Sequence, residues 1–480
     1  VVLPCHAHGN EGPHARRAAV RMIHLRLAAL RFGMVALVAA IPATAAAADR
    51  SVAAAEGGLL QTILDAAAPG DTITLEAGSY AAPITLDTAV KLKGMPGAAI
   101  VGNGRGSVVT INAPGAGVSH LTISGSGTDL AALDSGVLVN KTATGAAVEE
   151  NVITGNLFGI YLHGAVDSLA RANRITGLTD GPRSAAGNGV TVWNAPGAKV
   201  LDNDIRFGRD GIATMASRRN VFRGNHFRDL RFGIHYMYTN DSEVADNVSI
   251  GNAVGFAIMF SNRLKITGNR SDGDRDHGLL LNSANGSTIT GNSVIGLMQP
   301  VDRWLTAAAG DPDVPKAEEM AGSPGEIGGL RIGPEKCVFI YNANKNRFSE
   351  NRFENCAIGI HFTAGSEGNA MAGNAFINNR NQVKYVGTRN MDWSAEGRGN
   401  FWSDNPAFDL NGDGVGDSPY RPNDLMDRVL WTSPQAKVLT SSPAVQVIRW
   451  AQAQFPALLP GGVVDSHPLM APPRERDPRP

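Results

Sequence analysis

Short apolar runs recur along most of this chain, each closed by Gly, Asn or Ser before the next one opens. Their spacing is regular. Asn151, Asn173, Asn203, Asn225, Asn247, Asn269, Asn292, Asn351 and Asn374 stand 22, 30, 22, 22, 22, 23, 59 and 23 residues apart. A second series, Gly159, Gly211, Gly233, Gly255, Gly278 and Gly359, opens apolar stretches such as Gly-Ile-Tyr-Leu and Gly-Ile-His-Tyr-Met. Self-similarity at a fixed period is the mark of a solenoid. A repeat of about 22 residues is too short for two packed helices with their turns, and its segments are short and β-branched. The pattern therefore predicts an all-β fold, a right-handed single-stranded parallel β-helix whose coils pair at about 4.8 Å. The Asn series reads as side chains stacked at one corner, bonding backbone that the strands leave unpaired. The two long gaps read as loops leaving a corner, around Leu178 to Gly189 and Leu297 to Glu335.

The ends of the repeat look different from its middle. Leu59 to Ala68 reads as a short helix stopped by Pro69-Gly70, placed to cap the open N-terminal edge. Strand runs follow at Thr72 to Leu75, Ile84 to Leu86, Val90 to Leu92, Val108 to Ile111 and Leu121 to Ile123, and the clear period runs from about Val137 to about Tyr385. Beyond it, aromatic residues gather at Trp393, Phe401, Trp402, Phe408 and Tyr420. Ser442-Pro443 is an N-cap followed by an N1 proline, opening a helix with Ala444, Val445, Ile448 and Phe455 on one face and stopped by Pro456. The expected division is an upstream segment with signal peptide to residue 48, a β-helix over 49–390 with a loop inserted at about 297–335, and a C-terminal extension over 391–480. The tail from Ala471 is rich in Pro and charge and reads as disordered.

Arg26 and Arg31 precede an apolar run from Phe32 to Ile41 and a small-residue stretch to Ala48, the pattern of a secretory signal cleaved near Ala46 to Ala48. The mature chain is expected to be exported, with Met22 or Met34 the initiator. Formal net charge is −1 with a pI near 6.9, so no field argues for nucleic acid or an anionic membrane. Of the cysteines, Cys337 and Cys356 lie downstream of the signal, on adjacent coils but not directly stacked. Buried small side chains are the default reading for both, with a disulfide left open.

The C-terminal part carries three longer strings: Gly399-Asn400-Phe401-Trp402-Ser403-Asp404, then Asp409 to Asp417, then Pro419 to Arg428. With Ser441 to Gln446 and Val464-Asp465-Ser466-His467-Pro468-Leu469-Met470, they resemble the NosD family of periplasmic maturation proteins for nitrous oxide reductase. The resemblance spans the mature chain, and the C-terminal strings make it specific. It implies a non-enzymatic scaffold in the periplasm, working with the permease and ATPase subunits of an ABC transporter and with a copper chaperone. The implied task is assembly of the reductase's copper–sulfur cluster, with the membrane reached only through the transporter.

Counting each ladder Gly as zero, positions +1 and +3 are mostly apolar and should face inward, and +2 and +4 should face outward. At +4 the series reads His163, Trp193, Met215, Met237, Met259, Asn282, Tyr341, Thr363. Three Met on consecutive coils make a stack of thioethers, soft ligands that favour Cu(I), and His235 sits at +2 beside Met237. The competing reading is that these Met fill a corner of the core. Asp409, Asn411, Asp413 and Asp417 take positions 1, 3, 5 and 9 of a calcium loop, but Tyr420 stands at position 12 where a bidentate Glu belongs; a plain Asx-rich turn is the alternative. Asp272, Asp274, Arg275, Asp276 and His277 form the most enzyme-like group, against which stands the expectation that a solvated corner is rich in Asp and Gly. The alternatives to a copper-handling accessory protein are a periplasmic polysaccharide lyase or epimerase and a glycan-binding solenoid. No phosphate-binding Gly-x-x-x-x-Gly-Lys-Ser/Thr string occurs, so any ATP hydrolysis belongs to another subunit.

Overall fold

The computed structural model describes residues 47–179, 185–296, 336–363, 365–387, 389–424, 426, 429, 442–455 and 461–474. The signal expected upstream of Ala47 and the expected loop at 297–335 lie outside these residues. Three parallel sheets run the length of the solenoid, with 13, 13 and 12 strands among the described residues. Each coil contributes one strand to each sheet, and the chain advances one coil before it returns to the same sheet. The first sheet runs from Asp49–Val52 to Ala370–Met371, the second from Gly78–Ala81 to Phe401–Trp402, and the third from Ile84–Leu86 to Asn381–Val386. Both long gaps close in register: Ile160 pairs with Val190 across the first, and Leu279 with Val338 across the second. The β-helix extends through Phe401–Trp402, past the residue 390 expected as its end, because those strands still pair with Ala375–Ile377.

The Asn corner performs the bonding its spacing predicted. Asn247 accepts the Asn225 amide at 3.0 Å and its side-chain amine at 2.9 Å, while Asn225 also donates to the Val200 carbonyl at 2.8 Å. The same three bonds recur coil after coil, with these Asn buried. Each coil is thereby tied to both neighbours at a point where strand pairing stops. The Gly series answers a different need. A Cβ on Gly211, Gly233 or Gly255 would come within 2.5, 2.7 and 2.6 Å of the carbonyl oxygen of the next ladder Gly, so side chains are excluded there.

Cys337 and Cys356 form a disulfide, and both are buried. The default reading of free buried thiols is corrected on this point. Cys337 occupies a Gly-ladder position, between Gly278 and Gly359. Cys356 occupies a second corner ladder, in which its amide donates to Asn379 Oδ1 at 2.9 Å. Here a covalent link joins a Gly-ladder position to a corner position that Asn379 fills one coil on.

Both ends are closed. The N-terminal helix is shorter than expected, Leu60–Asp65, preceded by a 3-10 turn over Ala54–Leu59. Its Gln61 amide accepts from Thr85 N at 2.9 Å and donates to Thr85 O at 3.0 Å, which satisfies the free edge of the third sheet as a further strand would. At the far end Asn400 finishes the Asn ladder, and the buried Asp465 carboxylate accepts from Asn400 N at 2.6 Å and Trp402 Nε1 at 2.8 Å. Tyr420 and Asp465 exchange backbone hydrogen bonds, and Phe376, Trp402 and Tyr420 stack in sequence. The C-terminal strings are therefore a cap that folds back onto the last coils. The helix Pro443–Gln454 begins at Ser442, whose side chain accepts the Val445 amide. Val445 is buried and Ile448 half-buried, but Ala444 and Phe455 are exposed, together with Val447 and Trp450.

Candidate functional site

On the third sheet the side chains alternate through the central coils, save that Ala257 at +2 is buried. At +1 and +3, Ile212, Thr214, Ile234, Tyr236, Phe256 and Ile258 are buried. At +4, Trp193, Met215, Met237 and Met259 pair one to the next in exact register across four adjacent strands. Met215 is 43% exposed and Trp193 39%, while Met237 and Met259 are half-buried. The thioethers thus stand on the outer face, each about 4.8 Å along the axis from the next.

His235 lies two residues before Met237 on the strand Phe232–Met237, on the same face. Its Nδ1 is 3.2 Å from Oδ2 of Asp210, a buried carboxylate on the preceding coil. Arg231 grips that carboxylate with two bonds, at 2.9 and 2.6 Å. Burial acts to raise the Asp210 carboxyl, but the hydrogen bonds from His235 and Arg231 and the Arg231 charge outweigh it and hold it below the ordinary carboxylate range. In a neutral ring, a carboxylate facing Nδ1 favours the tautomer with its proton there, whose lone pair is on Nε2. Spacing could not reveal this support, because Asp210 sits 25 residues from His235 and meets it only through coil stacking.

Two aromatic side chains that the inside–outside count passed over adjoin the ladder. Tyr238 and Phe260 follow Met237 and Met259, are 52% and 39% exposed, and stack with centroids 5.0 Å apart. Both hold left-handed backbone, with φ of 49° and 50°, a conformation costly for bulky side chains. On the other side Trp193 stacks against His163 with centroids 4.7 Å apart.

The other candidates separate. Asp274 points into the interior, where it accepts from Ser271, Ser249 and the Asn252 amide. Asp272 pairs with Arg270 on the second sheet, and His277 lies on the third against Phe339. This group is split among different surfaces. In the loop from Asp409 to Asp417, Asp409 accepts the amides of Gly412, Asp413 and Gly414, Asn411 accepts that of Asp413, Asp413 that of Val415, and Asp417 that of Leu410. Those are chained Asx turns. Among the described residues no three His, Cys, Asp or Glu side chains come together to hold a metal.

The sequence matches the family model described as "Periplasmic copper-binding protein (NosD)" over residues 172–407. A protein of Stutzerimonas stutzeri named "Probable ABC transporter binding protein NosD" is 40% identical over 84% of this chain and 87% of its own. The chain belongs to the NosD family. A protein of the same name from Pseudomonas aeruginosa is 39% identical over 85% of this chain and 90% of its own. Among solved structures the Dettilon tailspike protein superimposes with a TM-score of 0.48 at 16% identity, over 70% of this chain and 65% of its own. The NosD family is described as periplasmic and copper-binding, and no described helix here is long and apolar enough to cross a membrane.

Proposed function

We propose that this chain is an exported accessory protein for maturation of nitrous oxide reductase, receiving Cu(I) during assembly of the copper–sulfur cluster. Copper is cargo here rather than a resident cofactor. The observation that carries the reading is the outward ladder of Met215, Met237 and Met259 beside His235, in a family described as copper-binding. Thioether and neutral imidazole are donors suited to Cu(I). A ladder of stacked ligands also lets an ion move from one sulfur to the next without full release, which suits a protein that passes metal on. A copper chaperone supplies the ion in this reading, and an ABC transporter, through its permease subunit, holds the scaffold at the membrane. The names of the two relatives support the transporter association.

The test replaces all three Met with Leu, which keeps volume and apolarity and costs folding less than about 1.5 kcal/mol per site. The triple variant is expected to stay folded by circular dichroism, lose Cu(I) binding under reducing conditions, and fail to support a cluster-loaded reductase in the cell. Cu(I) binding equal to that of the parent would return these Met to packing. Adding His235→Ala should deepen the loss where that imidazole shares the site.

A further inference from the structure

Trp193 extends the Met ladder by one coil. It pairs with Met215 in the strand register just as Met215 pairs with Met237. A single half-exposed Trp on a surface needs no explanation by itself. This one is held in place. His163, paired with it on the preceding coil, lies against the indole with centroids 4.7 Å apart and planes 32° apart. Tyr161 in turn meets the His163 ring edge-on at 6.0 Å. His163 and Met215 thus flank Trp193 on the two neighbouring coils, each in register with it.

Two thioethers and one imidazole leave a cuprous ion with an open side. Indole is the strongest π face among side chains, and it attracts a cation within about 6 Å of its centroid. An ion held by Met215 and Met237 would sit at the end of the ladder that Trp193 closes. We propose that Trp193 is part of the Cu(I) site, its free indole face covering the bound ion against water while His163 holds the ring from behind. The proposal rests on the Met-ladder reading and adds to it a residue that offers no lone pair of its own. It also gives Trp193 a role that depends on charge: the face attracts Cu(I) but has nothing comparable to offer a neutral ligand.

The experiment is an anaerobic titration of the full chain with Cu(I), in competition with a chromogenic Cu(I) chelator, reading tryptophan emission in parallel. Four proteins are compared: the parent, Trp193→Leu, Trp193→Phe and the triple Met→Leu variant. Cu(I) is expected to quench emission in the parent and not in Trp193→Leu, although five of the six Trp remain. Affinity should fall about tenfold in Trp193→Leu, with Trp193→Phe between the two, as expected for loss of a desolvated cation–π contact. Trp193→Phe keeps an aromatic ring against His163, so it remains informative if the Leu variant misfolds. Parent-like affinity in both Trp193 variants, with binding lost in the triple Met variant, would overturn the role of Trp193 and leave the ladder standing. Parent-like binding in the triple Met variant would overturn both.

Discussion

Asp274 stands in a corner ladder that also holds the side-chain amides of Asn252 and Asn379. Asn252, one coil earlier, donates its side-chain amine to the Phe227 carbonyl, and Asn379 does the same to Phe353. An ionised Asp has nothing to donate. Burial, opposed by the bonds from Ser271, Ser249 and Asn252, pushes the Asp274 carboxyl up to about 7. The unfolded chain would release that proton near the ordinary value of 3.8. The folded state therefore binds more protons between these values, and stability declines as pH rises from about 4 to about 7, then levels off. The decline has a ceiling on the order of 4 kcal/mol. Asp274→Asn is expected to restore the ladder and raise the melting temperature at pH 8, with little gain at pH 4. Thermal melts of both proteins across that range check it, and an equal gain at both ends would show that the carboxyl is not the source. Sequence placed Asp274 in a candidate catalytic group, since adjacency along the chain does not reveal which residues of a corner turn inward. The outward direction of Met215 and His235 was legible from strand alternation alone, whereas the Asp210 support was not.

At the scale of elements, the period carried the sheets and the Asn corner, because one bonding pattern repeats without interruption from Asn151 to Asn400. The second corner ladder escaped notice for the opposite reason. Its members change type from coil to coil, with Leu230, Asn252, Asp274, Cys356 and Asn379 bonded in its place. The disulfide is the plainest case of such a substitution, a Cys in a Gly position joined to a Cys in an Asn position. It follows that the pair can be exchanged back. Reduction of the parent should lower its stability by about 2–4 kcal/mol. Cys337→Gly with Cys356→Asn should fold with a melting temperature indifferent to reductant, since the Val294 carbonyl lies near Cys337 and Cys356 already donates to Asn379. Cys356→Ala alone should be less stable than that double variant. If the double variant is no better than the single one, the corner needs the covalent bond and the ladder analogy fails.

For the whole molecule, the capped solenoid was legible, and the way its C-terminal extension turns back was not. The strings around Trp402, Tyr420 and Asp465 are far apart in sequence and meet only through long-range pairing. Removing everything after Tyr420 would therefore strip Asp465 from the last coil as well as remove the helix, and would confuse docking with capping. The helix Pro443–Gln454 offers a cleaner test. Val445 packs inward, while Val447, Trp450 and the following Phe455 are 62%, 64% and 59% exposed. The sequence could not say which apolar residues would be left outside, because that depends on what the inner face packs against. Large apolar side chains grouped on an outer face mark a surface that a partner covers. In the proposed function that partner is the permease subunit of the transporter. Changing Val447, Trp450 and Phe455 together to Ser removes little from the folded core, so stability should stay within about 1 kcal/mol of the parent. Co-purification with the permease should be lost, while Cu(I) binding at the Met ladder persists. Retained co-purification would move the docking surface onto the coils themselves, and a simultaneous loss of Cu(I) binding would mean that the two surfaces are coupled.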